Sequence, residues 1–338
     1  MGGAGGIYDN RTVVTRCPCK NARRHQQTFG PEGAMKDIQK ILVAVNRSTN
    51  SRDALEKAIA IARVFGARVE LFMCDSERAF ALKHEFDSTG VERVRQSCAD
   101  ETRVYLQELS ATLDWSGVEL TIDATCESPE YEGITRKVIT SRPDLVIRNV
   151  GGDRAGNQEV LNENDWGLIR ACPSLILLTR GKAWRRHPKI AAAVDISSDE
   201  APELAQAILQ TAQYFRSGWQ GEIEVLTCVK GGATDSEIGA QRHKLIDRVN
   251  EAGVQSAPQY ICVGDPIRML PVFAAGRAMD VVVLGALTHR QTLTALVGTV
   301  TGKMLDALDC DFLLVKPVTY AGLIAQDVRP VGAEGFAA

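Results

Sequence analysis

A chain of 338 residues with 45% hydrophobic and 24% charged side chains is too long for one ordinary core, comfortable for two, and rich enough in apolar residues to exclude wholesale disorder. Its formal net charge of -3 excludes the basic footprint of a dedicated nucleic-acid binder. No apolar run reaches the roughly 18 residues that span a bilayer, and the N-terminus lacks the pattern of a secretory signal, so neither a membrane nor an exported location is expected and the cytoplasm is.

Residues 1–36 carry Gly2, Gly3, Gly5 and Gly6 and the polar stretch Arg23-Arg24-His25-Gln26-Gln27, with the period of neither helix nor strand. They read as a disordered extension. Cys17 and Cys19 flank a proline there, but without a second pair or a histidine pattern they assign no metal site. The other cysteines lie in or just before apolar runs and read as buried, reduced thiols.

From Ile38 onward, short apolar runs alternate with longer amphipathic stretches, the pattern of a parallel sheet covered by helices on both faces. Strands are expected at 41–45, 69–74, 120–125, 145–148 and 175–178. The stretch 52–65 places Ala54, Leu55, Ala58, Ile59, Ala62 and Phe65 on one helical face, with Ser51 to cap it and Gly66 to end it. A last helix should begin near Asn162–Trp166, capped by Asn164 or Asp165, with Trp166 over its start. Thr179–Pro188, with glycine, proline and basic charges, reads as a linker.

The second half repeats the scheme. Ala193-Val194-Asp195 matches Ala44-Val45-Asn46, Glu224–Cys228 matches Glu70–Cys74, Asp280–Val283 matches Asp144–Ile147, and Cys310 matches Cys172. Such ordered repetition indicates duplication of one domain. The expected fold is α/β: two tandem, doubly wound, five-stranded parallel sheets of Rossmann-like type, over residues 37–180 and 188–320, followed by a tail at 321–338. The strongly apolar last strands, 175–178 and 312–315, should be sheet edges that pair with each other inside the chain. That would make an intramolecular pseudo-dimer; dimerisation of the whole chain stays open.

In open parallel sheets ligands bind where the strand order reverses, beyond the carboxyl ends of the strands. There the second half carries Asp195, followed by Ser197 and Ser198; Gly264-Asp265-Pro266; and Gly285, Thr288, Gly298 and Thr299 in the spacing G-x2-T-x9-G-T. Glycines let backbone N–H groups approach phosphate oxygens, and a Gly-Thr pair that opens a helix attracts anions. Thr288 is β-branched where a glycine would serve best. The first half has Asn46 in place of the acid and Asn149-Val150-Gly151-Gly152 without a later Gly-Thr, and its helix-start acids would repel phosphate, so no nucleotide is expected there. The five histidines are isolated from one another, and no nucleophile elbow or metal-ligand motif accompanies them. No catalytic residue is assigned.

These loops, the duplication and the stretches Asp165–Pro173 and Leu305–Pro317 resemble the tandem E-type universal stress proteins of bacteria over residues 37–320. The resemblance implies a stress-induced cytoplasmic protein, linked to oxidative and DNA-damage resistance, adhesion and motility. It binds a small-molecule ligand or a protein partner without catalysing metabolic chemistry. Asp195, Gly264, Gly285, Thr288, Gly298 and Thr299 then form an ATP or anion site in the second copy. Two alternatives stand beside this: an ATP-binding switch with slow hydrolysis at most, and a ligand-free scaffold.

Overall fold

The computed structural model describes residues 14–16, 37–47, 51–82, 88–151, 161–196, 202–286, 305 and 307–316. The strands are β1 (Val14–Arg16), β2 (Lys40–Ala44), β3 (Arg68–Cys74), β4 (Leu120–Thr125), β5 (Leu145–Asn149), β6 (Leu175–Thr179), β7 (Lys189–Ala193), β8 (Glu222–Val229), β9 (Gln259–Val263), β10 (Val281–Gly285) and β11 (Asp311–Val315). The helices are α1 (Arg52–Phe65), α2 (Ser76–Leu82), α3 (Ser88–Ser110), α4 (Glu130–Ser141), α5 (Glu163–Ala171), α6 (Pro202–Trp219), α7 (Asp235–Glu251) and α8 (Pro266–Arg277).

All the strands lie in one sheet, ordered β1-β9-β8-β7-β10-β11-β6-β5-β2-β3-β4. The expected pairing of the two apolar last strands joins the two five-stranded sheets into one. β6 and β11 pair antiparallel, with Phe312 opposite Leu178, Leu313 opposite Leu177 and Leu314 opposite Ile176. Unpaired edge N–H and C=O groups flanked by buried leucines would be costly, and this seam satisfies them. Within each half every neighbouring pair is parallel and the strand order is the same: β4-β3-β2-β5-β6 mirrors β9-β8-β7-β10-β11. Repetition reaches single hydrogen bonds. Asp144 accepts from the Lys40 N–H at 3.0 Å, and Asp280 accepts from the Lys189 N–H at 2.7 Å, each carboxylate tying the fourth strand of its half to the first.

The apolar core follows from this alternation, because successive strand residues face opposite sides. Leu177 and Leu313 join a cluster with Ile41, Leu55, Val283 and Ile208 on one face, while Ile176, Leu178, Phe312 and Leu314 join Trp166, Tyr260 and Phe273 on the other. Both clusters cross the seam. On the first face α1 also meets α6: the Phe65 and Tyr214 rings stack at 4.5 Å, and a Cβ on Gly218 would lie 2.5 Å from Phe65 Cζ, so only glycine admits that ring.

A buried ion pair ties the halves as well. Asp311 of β11, fully buried, receives Lys57 Nζ of α1 at 2.7 Å, the Trp184 indole N–H at 2.7 Å and the Arg180 backbone N–H at 2.8 Å. Burial pushes its carboxyl up to about 6 against the opposing pull of Lys57.

Three local expectations need correction. Residues 1–36 are not disordered throughout: Val14–Arg16 pairs antiparallel with β9, Thr15 opposite Ile261, where an extended segment satisfies an otherwise open edge. Ser51 does not cap α1 with its side chain. It sits in helical conformation (φ -71°, ψ -6°), and its hydroxyl donates to the Asn46 carbonyl at 3.1 Å, closing the loop after β2. The cap of α5 is Asn162, which accepts from the Asp165 N–H at 3.0 Å, while Asp165 reciprocates by accepting from the Asn162 N–H at 3.1 Å. Gly66 does end α1, in left-handed conformation (φ 69°).

Candidate ligand site

In each half the loops after the first, third and fourth strands gather at the carboxyl ends of that half's parallel strands, where the order reverses; because β6 and β11 run antiparallel, the two sets of loops lie at opposite ends of the sheet. In the second half these loops carry Asp195 after β7, Gly264 after β9 and Gly285 at the end of β10. Gly264 adopts φ 146°, a backbone that side-chain-bearing residues avoid, and a Cβ there would lie 3.1 Å from the Met269 side chain. Asp265 turns its carboxylate to the N-terminus of α8, accepting from the Ile267 N–H at 3.1 Å, with Pro266 in the first turn. Thr288, Gly298 and Thr299, like Ser197 and Ser198, lie outside the described residues. Asp195, Gly264 and Gly285 are therefore the expected site residues whose setting is described.

The corresponding end of the first half is occupied by its own charges. Arg148, the fourth residue of β5, is 1% exposed. Its guanidinium makes two parallel bonds to Glu130, Nη1 to Oε1 and Nη2 to Oε2, both at 3.0 Å, and Nε donates to Asp165 Oδ1 at 2.5 Å. Glu130 opens α4 and is 4% exposed; Asp165, in the first turn of α5, is 2% exposed. Burial works against the charge on Arg148, but Asp165 and Glu130 outweigh it and hold the guanidinium above its ordinary range. Bidentate geometry and an extra capping bond are what allow three charges to stay buried together.

The cluster explains two features that sequence reading left apart. Asn46 Nδ2 faces Glu130 Oε1 at 3.5 Å. An aspartate there, as at Asp195 in the second half, would set a third carboxylate against Glu130 and Asp165 with one arginine among them. Asp165, a helix-start acid by sequence, is a buried counter-ion. The sequence held one signal for all of this, an arginine closing the apolar run Leu145-Val146-Ile147, since a charge in a central parallel strand has to find a buried partner. In the second half the matching strand position is apolar. Arg148 lies opposite Leu178, and Leu284 lies opposite Leu314.

The sequence of residues 37–180 matches the universal stress protein family. That match covers the first of the two copies. Universal stress protein E of Escherichia coli K12 is 20% identical over 311 residues, covering 87% of this chain and 98% of that protein. The Haemophilus influenzae homologue of universal stress protein E is 20% identical over 306 residues, covering 83% and 98%. Among solved structures, a putative universal stress protein from Pseudomonas aeruginosa superposes with a TM-score of 0.66 at 22% identity, covering 84% of this chain and 95% of that one. A universal stress protein from Archaeoglobus fulgidus superposes with a TM-score of 0.59 at 12% identity, covering 83% and 97%. At these identities the superpositions establish the shared α/β fold.

The chain shows, among its described residues, no group of three or more His, Cys, Asp and Glu that would hold a metal, and no helix long and apolar enough to cross a membrane. His187 and His243 are exposed and lie beside backbone carbonyls of Trp219 and Gly239. Neither adjoins a nucleophile–base pair of the kind catalysis requires.

Proposed function

We propose that this chain is a cytoplasmic universal stress protein, a non-enzymatic ligand-binding or partner-binding protein whose open crevice lies in the second copy, residues 188–320. The observation that carries the reading is the buried Arg148–Glu130–Asp165 cluster. It sets two internal carboxylates and their counter-cation at the strand ends where the first copy would otherwise receive an anion. A phosphate arriving there would add negative charge beside one already committed guanidinium. At the matching strand position the second copy has Leu284, and Gly264 and Gly285 lie half-buried at its strand ends.

A second reading, that the second copy takes ATP as a switch with slow hydrolysis at most, is favoured by Asp195 beside those turns and by the Gly298-Thr299 pair. Titrating the full chain with ATP in native mass spectrometry tests both. The expected ceiling is one nucleotide per chain, abolished by Gly298→Asp. Two nucleotides per chain would overturn the assignment of a closed first copy. No nucleotide at all would remove the ATP reading and leave a different small molecule or a protein partner for the crevice.

A further inference from the structure

Cys228 of β8 and Cys262 of β9 are direct partners in a parallel ladder. Neighbouring strands run about 4.8 Å apart, within the Cα separations a disulfide accepts. Their side chains leave the same face of the sheet, that of Leu226 and Tyr260, and the two thiols share a hydrogen bond. The environment splits the pair. Cys262 is fully buried, and the hydrogen bond from Cys228 together with the positive charge of Arg277 favours its thiolate despite that burial. Cys228 is half-buried; its bond to Cys262, burial and the negative charges of Asp195 and Asp265 raise its pKa.

The molecule supplies two internal comparisons. At the matching place in the first half, Cys74 lies opposite Thr125, so no second sulfur is in register, and the Cys74 thiol donates to the Glu127 carbonyl at 3.3 Å. Another thiol pair, Cys98 and Cys126, is hydrogen-bonded too, but both members are buried, at 4% and 2% exposure, beneath Ala79. Among the described cysteines, proximity, register and solvent access therefore coincide at the pair beside Asp195.

We propose that Cys228 and Cys262 are a peroxide-oxidisable dithiol that closes to a reversible cross-strand disulfide at the carboxyl ends of β8 and β9. Cys228, the less buried sulfur, reacts after giving up its proton: the thiolate sulfur bonds to one oxygen of hydrogen peroxide as the O–O bond breaks, and the departing hydroxide takes up that proton as water. Thiolate Cys262 then attacks the Cys228 sulfenic acid, forming the S–S bond and expelling hydroxide, which takes up the proton Cys262 had released. Two thiols and one peroxide thus give one disulfide and two waters: the sulfurs lose two electrons and the peroxide gains them. The site next to Asp195 takes a small oxidant, and this chemistry holds whether or not the crevice also binds a ligand.

The test is peptide mapping of the reduced full chain after graded hydrogen peroxide, with remaining thiols alkylated in denaturant. The Cys228–Cys262 linkage is expected to form first, in about tenfold excess over Cys98–Cys126, because access governs thiol oxidation, and dithiothreitol should reverse it. Cys262→Ser should leave Cys228 as a sulfenic acid captured by a dimedone probe, and Cys228→Ser should leave Cys262 unoxidised. Mapping of the unmodified chain does not depend on how either variant folds. If Cys228 and Cys262 stay alkylatable while other cysteines oxidise, or if Cys228 links elsewhere, the proposal is wrong.

Discussion

The two halves share strand order, the Asp144 and Asp280 ties and the glutamates Glu70 and Glu224, yet differ at the strand ends where a ligand would lie. The first half places Arg148, Glu130 and Asp165 there and buries them. At the position matching Arg148 the second half has Leu284, with Gly285 ending the same strand and Gly264 following β9. A duplicated fold needs its sheet and helices in both copies, but it needs its anion-accepting turn in only one. Once the seam between β6 and β11 joins the copies, the spare turn is free to become structural.

Breaking the closed side should have the largest effect. Arg148→Met leaves two buried carboxylates without their cation and should cost about 3–5 kcal/mol of stability, measured by denaturant unfolding. Adding Glu130→Gln and Asp165→Asn should restore most of that loss, because the cost lies in unpaired charge. Equal stability of Arg148→Met and the parent would refute the closed-site account.

The seam responds to pH through Asp311. Its folded value, about 6, lies above the ordinary 3.8, so the folded state binds the proton more tightly than the unfolded one. Asp311 therefore supports the fold fully below pH ~4, and that support is lost as pH rises through its folded value. Unfolding profiles of the parent and Asp311→Asn should diverge across that window, the parent losing up to about 3 kcal/mol relative to the variant. Parallel profiles would show that Lys57 neutralises the burial cost completely.

The smallest change sharpens the comparison directly, because it moves the second half's acid into the first. Asn46→Asp sets a third carboxylate near Glu130, with a half-exposed side chain that water screens, and should cost about 1 kcal/mol above pH 6. Thermal midpoints at pH 5 and pH 8 should differ more for the variant than for the parent.

Much of the fold was legible along the chain. α1 begins and ends where its apolar spacing and Gly66 place it, and β4 coincides with the expected strand. The pairing of the last strands followed from two apolar edges with nowhere else to go. The candidate site was legible only in part: Asp195, Gly264 and Gly285 stand out at strand ends, but Arg148 looked like the tail of a strand, and no motif singled out Glu130. Ser51 misled for a related reason. A serine before a helix is a good cap by type, and here its hydroxyl is spent on Asn46.

By itself the amino-acid sequence determined the alternation of strands and helices and the duplication, because periodicity and turn chemistry act between residues a few positions apart. Tertiary structure alone decided that Arg148 meets Glu130, 18 positions before it, and Asp165, 17 after it. It likewise decided that Val14–Arg16 covers β9 and that Cys228 stands opposite Cys262. Those partners are chosen by strand order and register, which bring distant residues within reach and remove the water that would otherwise compete for their charges and thiols.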